Sequence, residues 1–141
     1  MPEKPKYQLI EHTADIGIKV EAPTLPELFA NAACGMFDLL CATDVVGTEA
    51  EEFVAIDAGS YEELLVTWLG ELLFLFDTQK LLLNEFDITE LDEHHLAATV
   101  RGEEYSPDRH ELDHDIKAIT YYGLEVKREG ANWTASIVFD V

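Results

Sequence analysis

Basic residues are what this chain has least of among its charged groups: nine lysines and arginines stand against twenty-nine aspartates and glutamates, a formal charge of −20 at neutral pH. So acidic a surface repels nucleic acid and anionic membrane over most of its area, so neither direct nucleic-acid binding nor membrane association is expected. It favours basic protein patches and divalent cations instead. The same imbalance also suits a protein of a salt-rich cytoplasm, where screening makes self-repulsion tolerable. Cysteine is nearly absent as well. Cys34 and Cys41 fall seven apart in a predicted helix, about 10 Å along its axis and too far for a bridge, which fits a reducing, cytoplasmic setting. The longest apolar run, 64–76, is too short to span a bilayer and is broken by Thr67 and Glu71. No signal segment is expected, since Lys4, Pro5 and Lys6 lead directly into Tyr7-Gln8-Leu9-Ile10. Also missing are internal repeats, a phosphate-cradling glycine loop, a dinucleotide fingerprint, and any base near either cysteine. A stand-alone enzyme is therefore not expected.

What is present is a normal core. The chain has 141 residues, 48% of them apolar and 10% aromatic, which gives a single domain, 1–141, able to bury about two-thirds of its unfolded surface without staples. Two capping boxes mark helices. Thr24-Leu25-Pro26-Glu27 opens the first, which buries Leu25, Leu28, Phe29, Ala32, Met36, Phe37 and Leu40. Ser60-Tyr61-Glu62-Glu63 opens the second, running to about Asp77. Each also carries apolar residues on its back: Ala30, Cys34 and Cys41 on the first, Val66 and Phe74 around Gly70 on the second. Helices apolar nearly all round are buried on two sides, so an α+β architecture with helices layered between sheets is expected.

The rest reads as strands. Segments 7–12 and 16–21 are predicted to pair, 53–57 adds a strand, and 86–91 joins 96–102 through an Asp92-Glu93-His94-His95 turn. Segments 118–127 and 133–140 form a hairpin around Glu129-Gly130-Ala131-Asn132. With two helices this makes about seven to nine strands in all. Trp68 and Trp133 are expected in the core.

Alternation places Ile16, Ile18 and Val20 on one face and Asp15 on the other; Asp140 likewise opposes Trp133, Ala135, Ile137 and Phe139. Asp15, Asp140 and the α-carboxylate of Val141 would offer three oxygen-ligand groups to a hard cation, provided the last strand runs beside the first hairpin. Without that neighbourhood they are solvated acids. His110-Glu111-Leu112-Asp113-His114 spells the zinc-protease pattern, but only Leu112 and Ile116 there can pack. It reads as a solvated acidic loop, and His94 and His95 as turn residues.

The opening His12-Thr13-Ala14-Asp15-Ile16-Gly17, the helix with Asn31-Ala32-Ala33-Cys34-Gly35-Met36-Phe37-Asp38, Lys117-Ala118-Ile119-Thr120-Tyr121 and the final Phe139-Asp140-Val141 together resemble the archease family, in order and along essentially the whole chain. The resemblance implies the layered sheet/helix/sheet fold and a divalent cation, calcium first with magnesium or manganese as alternatives, held by Asp15, Asp140 and Val141. It also implies a functional surface with Lys117 and His12. The implied activity is that of an accessory protein: activation of the GTP-dependent RNA ligase of tRNA splicing, promoting its guanylylation and multiple turnover. A chaperone-like or general protein-binding module is the contrasting class, and a metallohydrolase using His110, Glu111 and His114 a third.

Overall fold

Two capped helices lie between two antiparallel sheets. The computed structural model describes residues 7–11, 15–42 and 46–141. In chain order these form β1 (Tyr7–Glu11), β2 (Asp15–Ala22), α1 (Leu25–Leu40), β3 (Ala50–Asp57), α2 (Tyr61–Gln79), β4 (Leu81–Leu91), β5 (His95–Glu104), β6 (Ala118–Glu129) and β7 (Asn132–Asp140). The larger sheet has the order β1-β2-β7-β6 and the smaller β3-β5-β4. Helix α1 packs on β1, β2 and β7 on one side and β4 on the other, while α2 packs on β6 and on all three strands of the small sheet. The expected α+β layering is therefore what forms. Each helix has too much apolar surface for a single neighbour, but in α2 the residues read from the sequence as a covered back, Val66, Gly70 and Phe74, are half-buried or exposed, because the sheets flank the helix on its other sides.

Both helix starts follow their capping residues. The Thr24 hydroxyl accepts the Glu27 N–H at 3.3 Å and that of Ser60 accepts the Glu63 N–H at 3.2 Å, each cap being worth ~1 kcal/mol. The helices are tied together by the buried Trp68 indole, whose Nε1 donates to the Phe29 carbonyl at 3.0 Å. At Gly35 a Cβ would meet Ile18 Cδ1 at 2.8 Å and the Tyr7 ring at 3.2 Å, so this glycine sets how closely α1 lies on the large sheet.

The differences from expectation sit at element ends. Helix α2 continues to Gln79 and stops at Lys80, in the left-handed region at φ 57°. The strand expected over 86–91 starts at Leu81 immediately afterwards. The run Leu81-Leu82-Leu83 continues the helix's apolar composition, and only a backbone reversal at one residue separates the two. β3 likewise begins at Ala50, three residues early, because Glu51 and Glu52 alternate on an edge strand. The final hairpin turns at Gly130-Ala131, with Gly130 at φ 61°. Trp133 is only half-buried, with the tilted Tyr61 ring and the Arg128 guanidinium beside it, because it lies at the open end of β7. No helix among the described residues is long and apolar enough to cross a membrane.

Candidate metal and partner site

The β2–β7 ladder sets Ile16 opposite Phe139 and, one step on, Asp15 opposite Asp140. Ile16 and Phe139 are buried in the core. Period-two alternation then puts both aspartates on the outer face, where directly opposed residues have Cβ atoms roughly 4.5–5.5 Å apart. Neither carboxylate makes a hydrogen bond or ion pair with a described residue. On the other side of β7, Ala118 is the partner of Asp140, and the Lys117 N–H donates to the Asp140 carbonyl at 2.8 Å. One end of the large sheet thus gathers Asp15, Asp140, the head of β6 with Lys117, and Val141, which is half-buried against the core. Lys117 is exposed, and its ammonium forms no ion pair with Glu111, Asp113, Asp115 or any other described residue. His12 lies outside the described residues.

Two opposed carboxylates with no cation between them repel each other, and the donors are all oxygens, so the pair fits a hard divalent ion such as calcium, magnesium or manganese better than zinc. Among the described residues no three His, Cys, Asp or Glu side chains converge as a metal cage. Asp15 and Asp140 are two of the three groups expected, the third being a main-chain carboxylate.

The zinc-like segment is another matter. Residues 105–117 contain no helix, so His110 and His114 do not share a helical face as a zinc protease requires. His114 is exposed, as expected. His110 is not: it is 4% exposed, contrary to its reading as a solvated loop residue. Its Nδ1 accepts the Ser106 N–H at 2.9 Å, and its Nε2 donates to Glu103 Oε1 at 2.6 Å. The other Glu103 oxygen receives Arg109 at 2.7 Å. Burial pushes the Glu103 carboxyl up, but the His110 hydrogen bond, the Gly47 N–H and Arg109 together outweigh it and hold it below the usual glutamate range. With both ring nitrogens engaged, His110 has no lone pair to give a metal.

This dyad anchors a strut. Turn bonds from Arg109 and His110 N–H to the Ser106 carbonyl fold the chain back onto Glu103 at the end of β5. Downstream, the Asp113 and His114 N–H groups donate to the Leu40 and Leu39 carbonyls, Leu112 bridges Cys41, and Ile116 is buried. The strut therefore delivers Lys117 to Asp140. Sequence reasoning missed it because acidic neighbours made His110 look solvated. The available signal was the Ser106-Pro107-Asp108 turn, which returns His110 toward the strand it had just left.

His95 also departs from expectation. It opens β5, with Nδ1 at 2.8 Å from Asp57 and Nε2 at 3.6 Å from Glu90. The Asp57 hydrogen bond, aided by both carboxylate charges, lifts the imidazole above its ordinary range. His94 stays an exposed turn residue, and Cys34 and Cys41 form no disulfide, as expected.

Comparison with known proteins agrees with this fold. Residues 7–141 match the Archease protein family (MTH1598/TM1083). Protein archease of Methanosarcina mazei is 37% identical over 140 residues, 96% of each chain. That of Methanopyrus kandleri is 36% identical over 138 residues, 96% of this chain and 99% of the other. The solution structure of Methanobacterium thermoautotrophicum protein 1598 superposes with a TM-score of 0.84 at 33% identity, over 98% of this chain and 100% of that one. An archease from Thermotoga maritima described as a possible chaperone shares the fold, with a TM-score of 0.63 at 20% identity over 100% and 98% of the two chains. A family match from β1 to the last residue, with relatives similar along nearly their whole length, means that this chain belongs to the archease family.

Proposed function

We propose that this protein is a cytoplasmic, non-catalytic activator of a GTP-dependent RNA ligase of tRNA splicing, promoting ligase guanylylation and multiple turnover. The observation that supports it best is the opposition of Asp15 and Asp140 across β2–β7 beside Lys117, in a chain that is an archease. In this reading Asp15, Asp140 and the Val141 α-carboxylate hold a divalent cation. The cation, when bound, neutralises the opposed carboxylates and offers a Lewis-acidic centre at the protein surface. Lys117 holds a phosphate or carboxylate of the partner complex, where a partly desolvated ammonium counts for more than in water. The charge of −20 steers the acidic surface toward a basic ligase and away from free RNA. The test is ligation at excess substrate with catalytic amounts of this protein and its cognate ligase. Conversion from near-single to multiple turnover is expected; unchanged product overturns the proposal.

A chaperone-like role is the second reading, favoured by the exposure of Leu9, Phe53 and Phe74. Suppression of the aggregation of unrelated unfolded proteins, unaffected by Asp15→Ala, would decide for it.

A further inference from the structure

One face of α2 is left bare. Gly70 lies at its centre, Val66 and Phe74 are one turn to either side, and Glu63 and Asp77 two turns to either side, as 3.6 residues per turn requires. Phe74 is 56% exposed, and Val66 is half-buried. A Cβ built at Gly70 meets nothing within 4 Å. Glycine in the middle of a helix weakens it relative to alanine, and no neighbour in this fold demands the missing side chain. An apolar stripe with a notch at its middle is the complement of a bulky apolar side chain on a second helix that approaches closely.

The charges around the notch select the occupant. Glu63, Glu71 and Asp77 are exposed along the stripe, and among the described residues of this face none is basic. The nearest cation in sequence, Lys80, lies over the Phe76 ring instead. A second copy would bring another −20 and the same acidic rim against this one. We propose that the exposed face of α2 docks a basic amphipathic helix of a partner protein, with an apolar side chain seated on Gly70 between Val66 and Phe74 and flanking lysines or arginines opposite Glu63, Glu71 and Asp77. The face uses none of Asp15, Asp140 and Lys117, so it stands or falls apart from the metal reading.

The test uses the full chain and a synthetic leucine–lysine peptide with one leucine face flanked by lysines. A scrambled peptide of identical composition serves as control. Amide chemical shifts should move chiefly along the exposed stripe of α2 with the amphipathic peptide and not with the scrambled one. Gly70→Ala should raise the thermal midpoint, since its Cβ fits open space and favours helix, yet weaken peptide binding about tenfold by filling the notch; Phe74→Ala should weaken it by a similar factor. A rise in stability with unchanged affinity would overturn the proposal. So would shifts spread over the whole acidic surface, equal binding of the scrambled peptide, or a concentration-dependent dimer abolished by Phe74→Ala.

Discussion

Asp15 and Asp140 face each other directly across the β2–β7 ladder, although 125 positions of chain connect them. The pairing follows from the core: Ile16 and Phe139 bury their side chains on the inner face, and the next residues must point out. Directly opposed like charges cost stability by ~0.2–1 kcal/mol relative to a neutral pair. Asp140→Asn should therefore leave the domain as stable or slightly more stable in metal-free buffer, and lower its calcium or magnesium affinity. Denaturant unfolding with and without the ion reads both effects. A variant destabilised without metal would show that Asp140 serves packing instead.

Val141 offers a sharper probe of the proposed cation site. A C-terminal tag or amidation removes a charge and a hard oxygen from the proposed ligand set. Calorimetric titration should show weaker divalent binding for these forms than for an N-terminally tagged chain. Equal affinity in all three would exclude the terminal carboxylate as a ligand.

Lys117 can be removed without structural cost, because its ammonium is exposed and only its backbone N–H holds Asp140. Lys117→Ala should change unfolding stability by less than about 0.5 kcal/mol and abolish most ligase activation. Full activation by the variant would place function elsewhere on the sheet.

His110 and His114 separate cleanly. His114→Ala should be silent, its imidazole being exposed. His110→Ala strips a buried hydrogen bond and should cost ~1–3 kcal/mol, loosening the strut that ends at Lys117. Glu103 carries the pH dependence of this anchor. Its carboxyl is depressed in the folded state, so its contribution is present above the unfolded glutamate pKa and is lost as pH falls through the lower folded value. Wild type and Glu103→Gln should differ in stability above that acidic window, approach each other as pH falls through it, and converge below it. Parallel curves throughout would contradict the assignment.

Tyr7 governs the opposite end of the pH scale. Burial first, then the hydrogen bond its phenol donates to Asp38 at 2.9 Å and the charge of that carboxylate, with Cys34 adding, push it up to about 12. A folded pKa above the unfolded value of about 10 means stability that is complete below pH 10 and lost as pH rises through 12. Phenolate absorbance should show a late phase near pH 12, and Tyr7→Phe should delete that phase. An unchanged titration would rule out Tyr7 as its source.

Local chemistry made much of this molecule readable in advance. Thr24 and Ser60 announce both helix starts, because a hydroxyl three residues before a glutamate satisfies orphan N–H groups wherever the helix is packed. The outward placement of Asp15 and Asp140 followed from alternation alone. The Gly130 turn followed from its backbone freedom. Element ends were less readable, since Leu81-Leu82-Leu83 has the composition of the helix before it and only Lys80 in the left-handed region turns helix into strand.

By itself the sequence determined the helices, the inner and outer faces of the strands, the excess of acid and the membership of a family, because each depends on near neighbours in the chain or on composition. Tertiary structure alone decided that Asp15 and Asp140 are partners, since register between segments at the two ends of the chain is chosen by the shared core. It alone buried His110, whose partner Glu103 lies on a strand the chain must fold back upon. And it left the Val66–Gly70–Phe74 face of α2 bare, where the helix's composition foretold cover: two sheets enclose a helix from two sides, and a third remains.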